Sequence, residues 1–467
     1  MGIKPLYLCR LGEDLAFGSE MKALFAHPAI PRTIDRQALS DFLALNYIPH
    51  PRTLIEGIRK LPAGSWLEWR DGSVREERYW NLRMEPDDRI TEQDAAAELD
   101  RLLASSVKEH LLSDVPVGLW LSGGLDSSTI LHYAASQSSQ PIRTFSIGFP
   151  GRKFDESARY RVVAKHYGAR HEELPMDGSL DLEAVVEKLA WYSDEPSADA
   201  GAVPIYYLSG LCRKHITVAL SGEGSDELFG GYVTYVADRY HRWLRPVPTA
   251  LKRFGESLAA LLLPVSDEKI GLDYKVRRFL AGSQLSPDEA HFYWNGAAGP
   301  DLRRALLASD AFAGPGRLAA SLPASPGSLN RYLWADQLYY LQDDILNKCD
   351  RMSMAHSLDV RPPFLDPWIV EFAARLPEHL KIRGSSLKWI LRRTMTGKLP
   401  QIVLQAEKQG LDIPTHQLFR GPLAELLRDI VTEKAVRESG LVQWQPVAAL
   451  MGAHETLRGN VGYVPGR

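Results

Sequence analysis

The sequence has few cysteines, no long apolar run and no excess of positive charge. Its three cysteines, Cys9, Cys212 and Cys349, are too widely spaced for a zinc motif or a disulfide framework, which predicts a reducing compartment. The longest apolar run, Leu258 to Val265, is too short to cross a bilayer, and the residues after Met1 do not have the form of a signal peptide. A formal net charge of -3 without a Lys/Arg-rich run argues against nucleic-acid binding. We therefore expect a cytoplasmic protein that binds neither nucleic acid nor membrane.

A loop of small residues follows the apolar run Val115–Leu121. It reads SGGLDSS from Ser122 to Ser128, and a helix-like pattern comes after it. Small residues at such a junction let backbone amides turn toward an anion, and the helix N-terminus favours negative charge. Asp126 would repel phosphate unless a divalent cation lay between them. The loop therefore predicts a site for ATP as its magnesium complex; the alternative is a Gly-Gly turn in which Asp126 and Ser127 cap a helix.

A second loop of small residues carries three carboxylates. It follows the apolar stretch Ile216–Leu220 and reads SGEGSDELFGGY from Ser221 to Tyr232. These carboxylates would repel one another unless a cation relieved the repulsion; the alternative is an acidic loop that caps the next helix. Ligands bind beyond the carboxyl ends of parallel strands, so we expect Asp126 and Asp226 to hold one magnesium ion between neighbouring strands.

The predicted secondary structure changes near residue 88. Residues 1–88 predict strands and short helices that form only a partial layer without a complete core. Residues 89–467 alternate short apolar strands with helices, which predicts an α/β fold whose parallel sheet is covered by helices on both faces. From about Leu329 onward the pattern is mostly helical. The expected hairpins pair Leu6–Arg10 with Leu15–Gly18 and Trp66–Trp69 with Val74–Trp80; the expected capped helices start at Asp35 and Thr91.

Together the motifs resemble one enzyme family. SGGLDSS matches the pyrophosphate loop of the N-type ATP pyrophosphatases, and its pairing with SGEGSDELFGGY resembles the synthetase domain of glutamine-hydrolysing asparagine synthetases. Three further stretches match that family in order: a DEP motif from Asp194 with Asp199, a long central motif from Asp343 to Asp366, and KQGLDIP from Lys408 to Pro414, where Leu411 replaces the usual aromatic residue. The resemblance covers essentially the whole chain.

The resemblance implies an ATP-dependent ligase. In that family the β-carboxylate of aspartate attacks the α-phosphorus of ATP, pyrophosphate leaves, and ammonia, normally from glutamine, displaces AMP to give asparagine. By motif position Glu223 is the base for ammonia, Lys408 is the cation at the phosphorus, and Asp126 and Asp226 are the magnesium ligands. The implied ATP contacts are Trp120, Ser122, Gly123, Gly124, Leu125, Asp126, Ser127, Ser128, Ile147, Ser221 and Gly222.

Taken singly, several motif residues have plainer interpretations. Lys408 alone would be an ordinary solvated lysine, and Arg351 with Asp350 would form an ion pair on a helix surface. His356 is expected to be a structural hydrogen-bonding residue, because no second histidine lies at ligand spacing. Tyr232 is expected to close a pocket wall.

The N-terminal part departs from the family pattern. The family's Ntn-hydrolase-type glutaminase uses an N-terminal cysteine, whereas Gly2 follows Met1 here and Cys9 lies inside a predicted strand. Residues 1–88 resemble only the end of that class II glutamine amidotransferase domain. In one explanation Met1 is an internal methionine of a longer protein, which the unpaired edges of a partial sandwich favour. In the other, the short chain uses free ammonia or a separate glutaminase.

Other functions stay open at this stage. An enzyme of the same fold could form an amide on another carboxylate, as a β-lactam synthetase, a macrolactam cyclase or an amidotransferase of cell-surface polysaccharide does. A non-catalytic homologue is disfavoured by the presence of Asp126, Glu223, Asp226 and Lys408, which are costly to keep together. The acceptor and the oligomeric state, for which a homodimer is one expectation, are not specified by short motifs.

Overall fold

The computed structural model describes residues 1–151, 155–176, 181–263, 271–309, 311–320, 322, 328–406, 410, 413 and 415–456. The strands in these ranges are β1 (Tyr7–Leu11), β2 (Asp14–Gly18), β3 (Ile58–Lys60), β4 (Ser65–Arg70), β5 (Ser73–Arg78), β6 (Val117–Trp120), β7 (Arg143–Gly148), β8 (Arg170–Pro175), β9 (Val218–Leu220) and β10 (Asp359–Arg361). No helix in the described ranges is long and apolar enough to span a membrane.

The helices of the described ranges fall into two groups along the chain. The first group is α1 (Met21–Leu24), α2 (Arg36–Leu45), α3 (Glu92–His110), α4 (Leu125–Gln137), α5 (Ser157–His166), α6 (Leu182–Ser193), α7 (Ala202–Arg213), α8 (Ser225–Phe229), α9 (Val233–Leu244), α10 (Thr249–Leu262), α11 (Leu272–Gly282), α12 (Pro287–Asn295) and α13 (Pro300–Leu307). The second is α14 (Leu329–Leu338), α15 (Asn347–Met354), α16 (Pro367–Arg375), α17 (Glu378–Lys381), α18 (Trp389–Met395), α19 (Gln401–Leu404), α20 (Thr415–Arg420), α21 (Ala424–Ile430), α22 (Glu433–Ser439) and α23 (Trp444–Glu455). A π-helical turn, Leu341–Leu346, leads directly into α15.

One parallel sheet organises the part of the chain that the structure describes after residue 88. Its strand order is β10-β9-β6-β7-β8, and each neighbouring pair is parallel. The chain builds β6, β7 and β8 toward one side and then returns to place β9 on the other side of β6, with Val117 opposite Val218. The order therefore reverses between β6 and β9, which is where open α/β sheets bind ligands.

Alternate residues of the strands point into two different cores. Leu119 and Leu220 belong to a core shared with α3, α4 and α16, whereas Trp120 and Ala219 belong to a core shared with α7 and α15. Successive side chains of a strand point to opposite faces of a sheet, so helices cover both faces. The prediction of an α/β fold with a parallel sheet covered on both sides is confirmed.

The chain is mostly helical from Leu329 onward, as expected, and α9 to α13 precede that stretch. Asp359–Arg361, inside the stretch expected to be helical, is instead the edge strand β10, which pairs with β9. A stretch this short carries no periodic pattern, so only its pairing with β9 makes it a strand.

The N-terminal part forms two small antiparallel sheets, β2-β1-β3 and the hairpin β4-β5, as the two predicted hairpins require. The cap at Asp35 is present, since its side chain accepts from the amide of Ala38 at 3.0 Å. Cys9 lies in β1 and is buried, as expected. The core of this part is small; its buried members are Tyr7, Cys9, Met21, Leu24, Ile30, Ile55 and Ile58.

Candidate active site

The loops that follow β6 and β9 meet at the carboxyl edge of the sheet and line one cavity. Among the residues predicted to form the site, Trp120, Ser122, Asp126, Ser127, Ile147, Ser221, Gly222, Glu223 and Asp226 line it. Tyr232 also lines it, as expected for a wall residue, and so do Asp199, Tyr340, Ile345, Lys348 and Gly410. Segments distant in sequence are thus brought together by the reversal of strand order between β6 and β9.

The loop after β6 is held by its own serines. The amide of Ser122 donates to Ser127 Oγ at 3.1 Å, and the amide of Gly124 donates to Ser122 Oγ at 3.2 Å. Gly123 has φ +77°, and a Cβ there would collide with the backbone nitrogen of Tyr160. The turn leads into α4, whose first amides have no acceptor within the helix. This is the backbone arrangement that binds phosphate groups.

Four of the residues predicted to contact ATP do not line the cavity. Gly123, Gly124, Leu125 and Ser128 belong to the loop or to the first turn of α4 but are not among the residues that line the cavity. The side chains of Leu125 and Ser128 are buried. The amide of Gly124 donates to Ser122 Oγ and that of Ser128 to the Gly124 carbonyl, so a phosphate contact at these four positions would come from the amides of Gly123 and Leu125.

A lysine that the sequence analysis did not single out lies between the two predicted magnesium ligands. Lys388 Nζ lies 2.7 Å from Asp126 Oδ2, 2.7 Å from Asp226 Oδ1 and 2.7 Å from Ser225 Oγ. Lys388 is only 4% exposed. A Cβ at Gly231 would overlap the side chains of Asp226 and Lys388, so this close approach requires glycine. The single ammonium group therefore offsets one of the two negative charges and reduces the repulsion between the carboxylates of Asp126 and Asp226.

The donor set around Lys388 fits a hard divalent cation that arrives with phosphate. Asp126 and Asp226 supply carboxylate oxygens, and Mg²⁺ is usually bound by one or two carboxylates together with water and substrate phosphates. Among the described residues, no group of three or more His, Cys, Asp or Glu side chains is arranged to hold a metal. The described side chains thus supply only part of a coordination shell, which phosphate oxygens could complete.

An apolar wall lies in the same cavity. Trp120, Phe145, Ile147, Ile205 and Leu208 line it and are all buried. The Oγ of the lining residue Ser221 is buried and has no hydrogen-bond partner among the described residues. An apolar surface beside an unused hydroxyl group suits the base and ribose of a nucleotide.

Glu223 lies near a second buried lysine. The Nζ of Lys348 lies 2.5 Å from Asp199 Oδ2. Burial alone would lower the pKa of Lys348, but the carboxylates of Asp199, Asp344 and Glu223 raise it, so the lysine stays charged. Burial and then Glu223 raise the pKa of the Cys349 thiol well above its usual value, so this thiol stays protonated.

The structure bears differently on the predicted roles of the remaining motif residues. Lys408 and Leu411 lie outside the described residues, although Gly410 of the same motif lines the cavity. His356 packs against Tyr206 with ring centroids 4.3 Å apart, which agrees with a structural role.

The plainer interpretation of Arg351 and Asp350 as a surface ion pair is wrong, since both residues are buried. Arg351 Nη2 lies 3.3 Å from Asp194 Oδ2, and Asp350 accepts from Lys4 at 2.6 Å. Each side chain therefore joins α15 to another part of the chain. Ion pairs between residues so far apart in the sequence produce no local sequence pattern from which they could be predicted.

Comparison with known proteins shows the family to which the chain belongs. The sequence pattern of the family described as Asparagine synthase matches residues 98–463, and that of the Glutamine amidotransferase domain matches residues 1–80. The chain is 30% identical over 439 residues to asparagine synthetase [glutamine-hydrolyzing] 1 of Bacillus subtilis (strain 168), covering 92% of this chain and 67% of that protein. It is 33% identical over 437 residues to a putative asparagine synthetase [glutamine-hydrolyzing] of Mycobacterium tuberculosis (strain ATCC 25618 / H37Rv), covering 91% of this chain and 65% of that protein.

The parallel sheet and the two loops that meet at its carboxyl edge thus define an α/β protein with a candidate ligand site. The chain belongs to the asparagine synthase family. It spans about two thirds of the length of the curated relatives it matches. A relative with a different name, Amidase chyE of Penicillium rubens (strain ATCC 28089 / DSM 1075 / NRRL 1951 / Wisconsin 54-1255), is 26% identical over 488 residues, covering 95% of this chain and 71% of that protein.

Proposed function

We propose that this chain is an ATP-dependent, AMP-forming carbon–nitrogen ligase that converts the β-carboxylate of aspartate into an amide, giving asparagine. The observation that carries the proposal is the meeting of Asp126, Asp226 and Glu223 in one cavity. Asp126 and Asp226 suit a cation and polyphosphate, and Glu223 supplies a carboxylate within the same space. Membership in the asparagine synthase family supports the same reaction.

The first step is the transfer of AMP to the acceptor. An oxygen of the aspartate β-carboxylate forms a bond to the α-phosphorus, while the bond from that phosphorus to the bridging oxygen breaks and pyrophosphate leaves with the electron pair. The amides at the start of α4 and the ammonium of Lys388 are placed to stabilise the charge that develops on the leaving group. When bound, magnesium held by Asp126 and Asp226 would neutralise phosphate charge. Lys408 is proposed as a further cation at the phosphorus from its motif position.

The second step is the attack of ammonia on the activated carbonyl. Nitrogen forms the new bond to carbon, AMP leaves, and the nitrogen must lose a proton. We assign that proton transfer to Glu223, whose carboxylate lines the cavity. Lys348 stays charged nearby, and the carboxylate of Glu223 is one of the groups that raise the pKa of this lysine.

We propose that residues 1–88 form the end of a glutamine amidotransferase domain and that residues 89–467 form the synthetase domain. The matches to residues 1–80 and 98–463 support this division. Cys9 is buried in β1. We therefore propose ammonia, rather than glutamine hydrolysed at Cys9, as the nitrogen source of the reaction.

The proposal is tested by pyrophosphate release from MgATP and aspartate, measured without a nitrogen source, with ammonium and with glutamine. Aspartate-dependent release together with asparagine formed from ammonium is the expected result. Asparagine formation from glutamine by the pure chain would contradict the assignment of the N-terminal part. A folded chain that binds MgATP yet shows no dependence on aspartate would contradict the acceptor.

A second candidate is an amide-forming enzyme of the same fold that acts on another carboxylate. The similarity to a protein named an amidase, along 95% of this chain, favours it. Such an enzyme would share the nucleotide half of the cavity and differ at the acceptor half. A screen of carboxylates for pyrophosphate release separates the two candidates.

A further inference from the structure

Helix α10 presents its apolar residues to solvent rather than to the rest of the molecule. Leu251, Phe254, Leu258 and Leu261 follow one another at spacings of three and four residues, so they form an apolar stripe along one face of the helix. They are 60%, 66%, 42% and 80% exposed, and the neighbouring Leu262 is also exposed. A surface helix ordinarily turns such a stripe toward the core. The orientation of α10 is therefore the reverse of the usual one.

The polar face of α10 attaches the helix to the molecule. Lys252 is buried, and its Nζ donates to the carbonyl oxygen of Ser283, just beyond the end of α11, at 2.9 Å. One turn further along α10, Glu256 Oε2 accepts from Gln284 Nε2 at 2.6 Å. His241 Nε2 of α9 lies 3.3 Å from the same Ser283 oxygen, so the three helices meet at this point. These contacts fix the rotation of α10 about its axis and direct the apolar stripe outward.

The charged residues exposed on α10 and on the helices before and after it are all cations. In the described residues 233–263 and 271–282 they are Arg242, Arg245, Arg253, Lys275 and Arg277. The carboxylates of Asp238 and Asp273 are buried, and that of Glu256 accepts from Gln284. Glu378, which lies 3.8 Å from Arg242, offsets one of the positive charges. The three helices therefore combine an outward apolar stripe with a net positive charge.

We propose that α10 docks on the surface of an anionic lipid bilayer, with the apolar stripe among the acyl chains and the cations of the three helices at the headgroups. A helix that has Leu and Phe on one face and basic residues beside them lies in the plane of a membrane interface in this manner. Trp243, which is 78% exposed in the last turn of α9, is of the residue type enriched at that interface. The residues that line the candidate active site come from other elements, so this inference does not depend on the proposed reaction.

Charge favours a membrane over a second copy of the chain. In a symmetric dimer the same patch faces itself, so Arg253 of one copy would approach the cations of the other. Like charges brought together across an interface are unfavourable, whereas an anionic bilayer supplies the opposite charge over its whole surface. A fluid bilayer also accepts an outward row of side chains without a matching groove.

The longest apolar run of the sequence, Leu258 to Val265, begins on α10. It is too short to span a bilayer, but a helix that lies in the interface does not have to span it. The expectation from sequence that the protein binds no membrane considered only spanning segments. Docking through α10 therefore revises that expectation.

Co-sedimentation of the purified chain with lipid vesicles tests the proposal. The vesicles contain phosphatidylcholine alone or phosphatidylcholine mixed with phosphatidylglycerol, and each kind is used at low and at high salt. We expect binding to the mixed vesicles at low salt, weaker binding at high salt because ions screen the attraction, and much weaker binding to phosphatidylcholine alone. A wild type that binds neither kind of vesicle would overturn the proposal, as would equal binding to both.

The double variant Phe254→Ser/Leu261→Ser removes two outward side chains and leaves the polar attachment of α10 intact. We expect it to lower the vesicle partition coefficient at least about tenfold, because burial of each large apolar side chain contributes that much or more. Phe17→Ser is the matched control, since Phe17 on β2 is 69% exposed and Phe254 is 66% exposed. This control should bind as the wild type does. Equal binding by the wild type and the double variant would place the contact elsewhere and overturn the proposal.

Arg253→Gln tests the electrostatic part of the contact. We expect binding to the mixed vesicles to weaken about fivefold at low salt, the effect of one basic residue near an anionic surface, and to change little at high salt. Arg70→Gln, at an exposed position on β4, is the control and should have no effect. A loss of the same size at both salt concentrations would overturn the choice of an anionic surface.

Sedimentation velocity without lipid separates the membrane from a second copy of the chain. Self-association that the double variant loses, together with no vesicle binding by the wild type, would assign the apolar stripe to a dimer and overturn the proposal. Circular dichroism and urea unfolding of the double variant should match those of the wild type, because the substituted side chains are exposed. If the double variant fails to fold, Leu261→Ser alone takes its place, since Leu261 is the most exposed member of the stripe.

Discussion

Lys388, which is buried, and Asp126, which lies 262 residues away in the sequence, form an ion pair with both carboxylate oxygens 2.7 Å from the ammonium nitrogen. Asp226 lies at the same distance on the other side. The lysine therefore occupies the space between the two residues predicted to bind magnesium. A cation is needed there in the absence of substrate, because the two carboxylates would otherwise repel each other in a low-dielectric cavity.

Lys388→Met is expected to separate two effects of this contact. Pyrophosphate release should fall by about 100-fold, the usual loss when a positioned charge at a developing anion is removed. Binding of Mg²⁺ without ATP should become tighter, because the ammonium group no longer competes for the carboxylates. The measurements are the rate of pyrophosphate release and calorimetric titration with Mg²⁺.

Lys398→Met is the matched control for Lys388→Met. Lys398 pairs with Asp100 in a more exposed position, and neither residue lines the cavity. This variant should keep wild-type activity and Mg²⁺ affinity. Tight Mg²⁺ binding by the wild type that Lys388→Met leaves unchanged would show that the lysine and the cation do not share a site.

Glu223→Gln is expected to block amide formation more than adenylation. The carboxamide keeps the shape of the side chain but cannot accept the proton from ammonia, so asparagine formation should fall by about 10²–10⁴-fold. Pyrophosphate release in a single turnover should persist, since that step does not require the base. Rapid-quench measurement of both products tests this, and full asparagine formation at the wild-type rate would remove Glu223 from the role.

Adjacent parallel strands end at the same edge of a sheet, and this rule predicts from the sequence alone that Asp126 and Asp226 lie close together. Both residues line one cavity in the structure. The rule gave no means of finding Lys388, which follows no predicted strand. The pairs Lys348–Asp199 and Arg351–Asp194 were missed for the same physical reason, since pairing across long separations leaves no periodic pattern in the sequence.

Lys381 is expected to make stability rise with pH. It is fully buried, with Nζ donating to Asn330 Oδ1 at 2.9 Å, and burial lowers its pKa to about 7. The unfolded chain therefore holds more protons than the folded chain between about pH 7 and the ordinary pKa of 10.5, and the free energy of unfolding increases across that window.

Urea unfolding of the wild type and Lys381→Met from pH 7 to 10 tests this effect of Lys381. The free energy of unfolding of the wild type should rise relative to that of the variant as the pH increases. An unchanged difference across the range would show that the lysine titrates alike in both states. Lys434→Met, at an exposed surface position, should show no such trend.

His291 is expected to make stability fall as the pH rises, which is the opposite of the effect of Lys381. It is fully buried, with Nδ1 2.9 Å from Asp238 and Nε2 3.1 Å from Asp336. Burial alone would lower the pKa of His291, but these two carboxylates raise it to about 9 from the ordinary value of 6.5. The folded chain thus holds more protons than the unfolded chain between these values. The resulting stabilisation is complete below pH 6.5 and is lost as the pH rises through about 9.

His291→Gln should therefore destabilise the protein most at low pH. Below pH 6.5 we expect a loss of about 3–5 kcal/mol, typical of breaking a buried ion pair, because two carboxylates are left without their cation. The loss should shrink as the pH approaches 9, since the wild type then gives up its own proton. Urea unfolding at pH 6, 7.5 and 9 measures this trend, with His27→Gln at an exposed position as the control. A loss that is independent of pH would mean that His291 is neutral in the folded state and bound to only one charged carboxylate.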